Sequence, residues 1–252
     1  MSTSYVIRFV LIMTTLVAVI LAVMFLGLKD KADINEAIFN KKAILAAVAD
    51  HLGDGVVHKN LLDEQVLDIF SSNVEQIGLD MSGQQLTAED IIKAGYKGGK
   101  PENIDMAKEK KKPEAVRILP FYIYNTDKGK FYIMSVRGNG LWDEIWGYVA
   151  LESDLSTIAG VSFDHKGETP GLGAEIKDNP AFPKQFKGEK IYDENGLYTS
   201  VKVVKGGADK NDIHGVDGIS GATVTADGVD EMLYRGLSYY EPYINQVKSG
   251  GK

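Results

Sequence analysis

Residues 119–151 read LPFYIYNTDKGKFYIMSVRGNGLWDEIWGYVAL. Leu119–Tyr124 and Lys130–Val136 are rich in aromatic and β-branched residues, which favour extended chain, and Asp127-Lys128-Gly129 between them reads as a hairpin turn. Leu141–Leu151 reads as a third strand. Its alternation puts Trp142, Trp146 and Tyr148 on one face and Leu141, Ile145 and Val149 on the other, so both faces of the sheet are expected to be covered. Thr157–Phe163 is a further strand, and Leu197–Val204 alternates with Leu197, Thr199, Val201 and Val203 facing inward.

The chain on either side of these strands has helical spacing. Ile34, Ala37, Ile38, Leu45, Val48 and Leu52 recur on one helix face, and Gly53 and Gly55 mark the end of that helix. A second helix is expected over Asp63–Ile77, with Val66, Leu67, Phe70, Val74 and Ile77 on one side, and a short third one behind Thr87 as N-cap, carrying Ile91 and Ile92. Lys97–Pro113, which includes Lys108-Glu109-Lys110-Lys111-Lys112, reads as a solvated surface loop because its basic run is short and mixed with Glu. At the far end Val229, Met232, Leu233, Leu237 and Tyr240 form the apolar stripe of a helix that Pro242 breaks or kinks. Helices, then a mostly antiparallel sheet, then a helix indicate the α+β class.

Phe9–Leu28 reads FVLIMTTLVAVILAVMFLGL without a charged residue, long enough as a helix to cross a hydrocarbon core of roughly 30 Å. The run ends in Leu26-Gly27-Leu28-Lys29-Asp30, which lacks the small residues of a signal-peptide cleavage site, so a retained membrane anchor is expected. Arg8 before it and Lys29 and Lys31 after it leave the orientation open. The organisation expected is a short segment 1–8, a transmembrane helix 9–28, a helical region with the Lys-rich loop 29–113, and an α+β domain 114–252.

The 252 residues hold 28 Lys+Arg against 35 Asp+Glu, a net charge of −7, which argues against a nucleic-acid partner. Cysteine is absent, so disulfides, thiolate metal sites, cysteine-ligated clusters and cysteine nucleophiles are excluded. His51, His58, His165 and His214 show no metal-ligand spacing, and no metal site is expected.

Two stretches can carry chemistry. Gly167-Glu168-Thr169-Pro170-Gly171-Leu172-Gly173 is a sharp turn whose backbone can approach a ligand, although its spacing matches neither a P-loop nor a dinucleotide fingerprint. Asp217-Gly218-Ile219-Ser220-Gly221-Ala222-Thr223-Val224-Thr225 opens the last long helix, where free amides and the positive dipole end suit a phosphate. Ser220 or Thr223 acting as a plain helix cap is the competing reading. The near match to a hydrolase G-x-S-x-G elbow fails, because no histidine follows Ser220. Trp142 and Trp146 are candidates for stacking on a flat cofactor, with core packing as the default for aromatics in a strand.

Taken together, the single N-terminal span, the Glu168-Thr169-Pro170-Gly171-Leu172-Gly173 loop and the Asp217–Thr223 segment with its S-G-A-T core resemble one family over essentially the whole chain. It is the family of C subunits of the sodium-translocating NADH:quinone oxidoreductase of bacteria. The resemblance implies an electron-relay flavoprotein, with FMN bound covalently through its phosphate to Thr223. It further implies Ser220, Gly221, Ala222 and Asp217 around the phosphate, with Asp217 read by a separate flavin transferase. Glu168, Thr169, Gly171, Leu172 and Gly173 would border the flavin ring. Thr225 is the rival attachment hydroxyl. The other subunits of the complex, the transferase and membrane lipid are the implied partners. The implied location is the bacterial inner membrane, with the soluble domain on the periplasmic side. The related G subunit of the RNF ferredoxin:NAD+ oxidoreductase carries the same flavin-threonine motif, but its chain is shorter before the strands, so residues 63–113 favour the quinone reductase. A cofactor-free, membrane-anchored binding domain is the alternative from another class.

Overall fold

The computed structural model describes residues 2–53 and 57–250; Gly55, expected to end the first helix, lies outside them. Helix α1, Thr3–Ala46, is the one helix among the described residues long and apolar enough to cross a membrane. The described residues divide between Lys41 and Lys42 into two compact units. In the first, the apolar side chains from Phe9 to Leu28 are exposed, as suits a surface meeting lipid.

The second unit is built on a six-stranded antiparallel sheet. Its strands are β1 (Val74–Asp80), β2 (Gln85–Leu86), β3 (Ile118–Thr126), β4 (Gly129–Asn139), β5 (Glu144–Leu151) and β6 (Ile158–His165), in the order β2-β1-β3-β4-β5-β6. β3 and β4 form the expected hairpin, closing at Thr126↔Gly129 around Asp127-Lys128. Ile118–Tyr124 of β3 are all buried, as a central strand with both faces covered requires. Pro120, which has no amide to donate, lies just beyond the last β3–β4 pair, Phe121↔Met134.

One face of the sheet presents Phe121, Met134, Val136, Ile145 and Val149 to α7 (Thr223–Ser238), whose expected stripe of Val229, Met232, Leu233 and Leu237 is buried there. Tyr240 is buried just beyond α7, and its hydroxyl donates to the Ser135 and Pro120 carbonyls at 2.9 and 3.0 Å. Pro242 falls in the first turn of α8 (Glu241–Gly250), where a missing amide costs nothing. The opposite face carries Tyr122, Tyr124, Phe131 and Ile133, covered by Ile44, Leu45 and Val48 at the end of α1 and by Val66 and Phe70 of α2 (Asp63–Asn73).

Several expectations change. The helix expected to run to Gly53 ends at Ala46, Ile34 and Ala37 of its stripe are exposed, and Leu141 lies before β5 and is exposed. The second helix stops at Asn73, because Val74, Ile77 and Leu79 enter β1 and pair with β3 from Val74↔Tyr124 to Asp80↔Ile118. Leu67, expected on that helix's apolar side, is exposed. Lys97–Pro113 is not an open loop. It follows α3 (Ala88–Lys93), which the Thr87–Asp90 capping box starts, and contains α4 (Met106–Glu109). Buried Glu109 organises it, accepting from the Ile118 amide at 2.9 Å, from Lys112 Nζ at 2.6 Å and from the Tyr96 hydroxyl. Lastly, Leu197–Val204 is a strand only at Lys202–Val204 (β7), paired in parallel with Gly215–Asp217 (β8). Val201 and Val203 are buried as expected, but Leu197 sits in a turn and is exposed. Two short helices, α5 (Glu175–Asp178) and α6 (Ala181–Lys184), bring Ile176 and Phe182 under β6.

Candidate functional site

The two stretches singled out by sequence meet at the start of α7. The loop after β6 folds back so that Glu168, 5% exposed, reaches the helix's first turn. Thr225 Oγ1 donates to Glu168 Oε2 at 2.5 Å, and the Trp142 amide donates to Oε1 at 2.9 Å. Burial pushes the Glu168 carboxyl up. The Thr225 hydroxyl and the amides of Trp142, Asp143 and Leu141 outweigh that and hold its pKa below the ordinary glutamate value. One carboxylate therefore ties together the β4–β5 turn, the Glu168–Gly173 loop and α7. Glycines let the three segments close in: a Cβ on Gly140 would stand 2.5 Å from Glu168 Oε1, and one on Gly173 would overlap both Glu168 and Thr225.

Leu172, at the exposed tip of the loop, lies over the turn before α7. A Cβ on Gly221 would fall 2.9 Å from Leu172 Cδ2, and Gly221 has φ +77°, a conformation that only glycine adopts without strain. Thr169 and Gly171 are exposed beside it, and the Trp142 ring N–H donates to Thr169 Oγ1 at 3.1 Å. Trp142 is thus no core residue. It sits in the bend between β4 and β5, 68% exposed, as a flat accessible ring on the rim of the loop, while Trp146 stays in β5 with the Arg137 guanidinium 4.9 Å from its ring centroid.

No side chain caps α7. Its N-cap position is Ala222, so neither Ser220 nor Thr223 performs the capping that was the competing reading. Among the described residues the first-turn amides of the helix have no capping side chain as acceptor, the arrangement that receives an anion. Alongside lies a cavity of ≈ 470 Å³ lined among others by Thr223, Ser220, Gly221, Asp217 and the Lys205-Gly206-Gly207 turn. That volume falls within the roughly 300–1,000 Å³ of cofactor clefts. Asp217 is exposed, and its Oδ1 accepts from the Ala208 amide at 2.8 Å. The two threonines have different environments: Thr223 is half-buried and lines the cavity, whereas Thr225 is 1% exposed with its hydroxyl held by Glu168. A second cavity, ≈ 230 Å³ between α4, β4 and α7, has cations already engaged, Arg137 with Glu144 at 2.6 Å and Arg117 with Tyr239 at 3.1 Å.

The structure thus joins Glu168, Gly173 and Leu172 to Gly221 and the first turn of α7, and places Asp217, Ser220 and Thr223 around one cavity. Sequence reasoning missed two participants, Thr225 as the partner of Glu168 and the Lys205–Gly207 turn, and it placed Trp142, a stacking candidate, in a strand that begins only at Glu144. Asn139-Gly140 ahead of Leu141-Trp142 was the available signal that the tryptophan belongs to a turn.

Known proteins align with this chain along its length. The FMN-binding domain profile matches residues 140–238. The C subunit of the Na+-translocating NADH-quinone reductase of Vibrio anguillarum is 31% identical over 96% of this chain and 94% of its own. Its namesake in Neisseria meningitidis is 32% identical over 96% of this chain and 93% of its own. The crystal structure of the corresponding C subunit from Parabacteroides distasonis superposes with a TM-score of 0.67 at 34% identity, covering 86% of this chain and 96% of that one. That of Shewanella oneidensis NqrC superposes with a TM-score of 0.66 at 28% identity, covering 83% and 96%.

Proposed function

The chain belongs to the family of C subunits of Na+-translocating NADH-quinone reductases, and from that membership we propose that it is the membrane-anchored, FMN-carrying electron relay of such a complex, with its flavin joined covalently to Thr223. It is a subunit of an oxidoreductase and works with the other subunits of that assembly. When bound, FMN supplies the electron chemistry, and the protein supplies position and electrostatics.

One observation carries the attachment reading. α7 begins without a side-chain cap, beside a cavity that Thr223 lines, while the rival Thr225 is buried and bonded to Glu168. The residues fit a flavin phosphate. The uncapped amides after Ala222 supply donors, Gly221 supplies the positive φ of the turn beside Leu172, and Thr223 lines the cavity. In the bond proposed, Thr223 Oγ1 loses its proton and attacks the flavin phosphorus of an activated flavin phosphoanhydride. The anhydride P–O bond breaks, its other phosphate leaves, and the threonyl ester takes its place, in a reaction run by a separate flavin transferase that supplies this donor and reads Asp217. A phosphodiester there keeps its negative charge at the positive end of α7. Thr169, Gly171 and Leu172 would border the flavin ring, with Glu168 and Gly173 fixing their positions from behind and Trp142 as a second apolar surface.

On this reading residues 9–28 anchor the chain in lipid of the bacterial inner membrane, and the sheet unit Lys42–Lys252 holds the flavin on the periplasmic side. The test is the full chain expressed with an active flavin transferase and run on a denaturing gel under ultraviolet light. Wild type and Thr225→Val should fluoresce at the chain's mass, and Thr223→Val should be folded and dark. Flavin fluorescence retained by Thr223→Val would falsify the attachment site.

A further inference from the structure

The ≈ 470 Å³ cavity that Thr223 lines is lined also by a turn that the reading above leaves without a task, Lys205-Gly206-Gly207 after β7. We infer that this turn is the second wall of the phosphate site, and that the Lys205 ammonium is the counter-charge of the phosphodiester on Thr223. The inference rests on the attachment reading and extends it to residues on another element.

Three observations carry it. Charge comes first: among the described residues Lys205 is the one cation lining the cavity, the other charged lining groups being the carboxylates of Asp217 at the end of β8 and Asp227 on α7. A phosphodiester would add a third negative charge there. Among the described residues no carboxylate engages Lys205, so its ammonium is available to answer it. Geometry comes second. The turn is held by Asp217, which accepts the Ala208 amide at 2.8 Å, and a Cβ on Gly207 would lie 3.4 Å from Asp217 Oδ1. Gly218, one residue on, packs so closely that a Cβ would stand 3.0 Å from the Val204 carbonyl oxygen. The register is third. The parallel pair Val204↔Asp217 puts the residue before Lys205 beside the residue that opens the Asp217–Thr223 segment, so the lysine and the attachment segment leave the same end of one ladder. Asp217 is then a positioning residue in its own right, since it holds the turn that carries Lys205.

The experiment compares Lys205→Met, Lys205→Arg and Thr223→Val with wild type, each as the full chain in detergent. One readout is the rate of covalent flavin incorporation by the transferase. The other is the phosphorus NMR resonance of the flavin-carrying chains. A charge-assisted contact predicts incorporation slowed by roughly tenfold or more in Lys205→Met, with Lys205→Arg within about threefold of wild type. It also predicts a displaced phosphorus resonance in Lys205→Met that Lys205→Arg restores. Wild-type behaviour of Lys205→Met in both readouts overturns the inference. So does equal slowing in the Met and Arg variants. A slowed rate with an unmoved resonance overturns it as well, because the lysine would then serve docking of the transferase. Flavin retained in Thr223→Val is a different failure, that of the attachment reading, and is scored separately.

Discussion

Glu168 shows how one residue can organise a site that it need not touch chemically. Its carboxylate is buried, yet it accepts the Thr225 hydroxyl and a set of amides from the β4–β5 turn, so ionisation is favoured over neutrality. Replacing it with Ala leaves those donors buried without an acceptor, and a loss of about 3 kcal/mol of folding stability is expected in urea titrations. Thr225→Val removes a single donor and should lose about 1–2 kcal/mol. The sign of the pH effect follows from the depressed pKa. The stabilisation is complete above the ordinary glutamate value of 4.5, which applies to the unfolded chain, and is lost as pH falls from there through the lower folded value. Stability of wild type should therefore drop more steeply below about pH 5 than that of Glu168→Gln. Parallel acid limbs in the two proteins would show that the carboxylate carries no ionised-state stabilisation.

At the scale of elements, α7 lies on the sheet through glycines on both sides of the contact. A Cβ on Gly138 of β4 would stand 2.7 Å from Met232 Cβ, one on Gly236 of α7 would stand 2.8 Å from Val136 Cγ1, and one on Gly228 would overlap the Asn139 carbonyl oxygen. Helix propensity alone says that Gly228→Ala should stabilise by about 1 kcal/mol. The clash is with backbone, which cannot swing away, and overpacking of that kind costs roughly 1–3 kcal/mol or more beyond the propensity gain. Gly228→Ala is therefore expected to be net destabilising in urea titrations, while Gly250→Ala, with nothing within 4 Å, should be neutral or slightly stabilising. A stabilised Gly228→Ala would mean that α7 does not approach β4 this closely. The stripe of α7 was legible because it has one period and one buried partner face, and the β3–β4 hairpin because two aromatic and β-branched runs flank Asp127-Lys128-Gly129. The end of α2 was not, since Val74 and Ile77 satisfy a helical stripe and a strand equally well until β3 is known to lie alongside. The meeting of Glu168 with Thr225, 57 positions apart, leaves no trace in local spacing.

For the whole molecule, the same logic says where the chain can be cut. The boundary between the two compact units falls at Lys41/Lys42, inside a helix that runs unbroken from Thr3 to Ala46. A cut at that boundary keeps the Lys42–Asp63 ion pair at 2.7 Å and the His58 contact with the Lys42 carbonyl at 2.7 Å. It also keeps Ile44, Leu45 and Val48, each at most 1% exposed, on the second face of the sheet. A chain beginning at Lys42 should therefore leave the membrane and fold, with a melting temperature near that of the full chain, and should still be flavinylated by the transferase. Seven residues further on the outcome reverses. A chain beginning at Ala49 uncovers Tyr122, Ile133 and Ala150 and forfeits three buried aliphatic side chains, worth roughly 5–9 kcal/mol in apolar burial. That is comparable with the whole stability of an ordinary domain, roughly 5–15 kcal/mol. The longer truncation should be protease-sensitive and lack a cooperative thermal transition. Equal stability of the two truncations would show that the end of α1 belongs to the anchor alone. A failure of the shorter one to fold would show that the sheet domain depends on residues before Lys42.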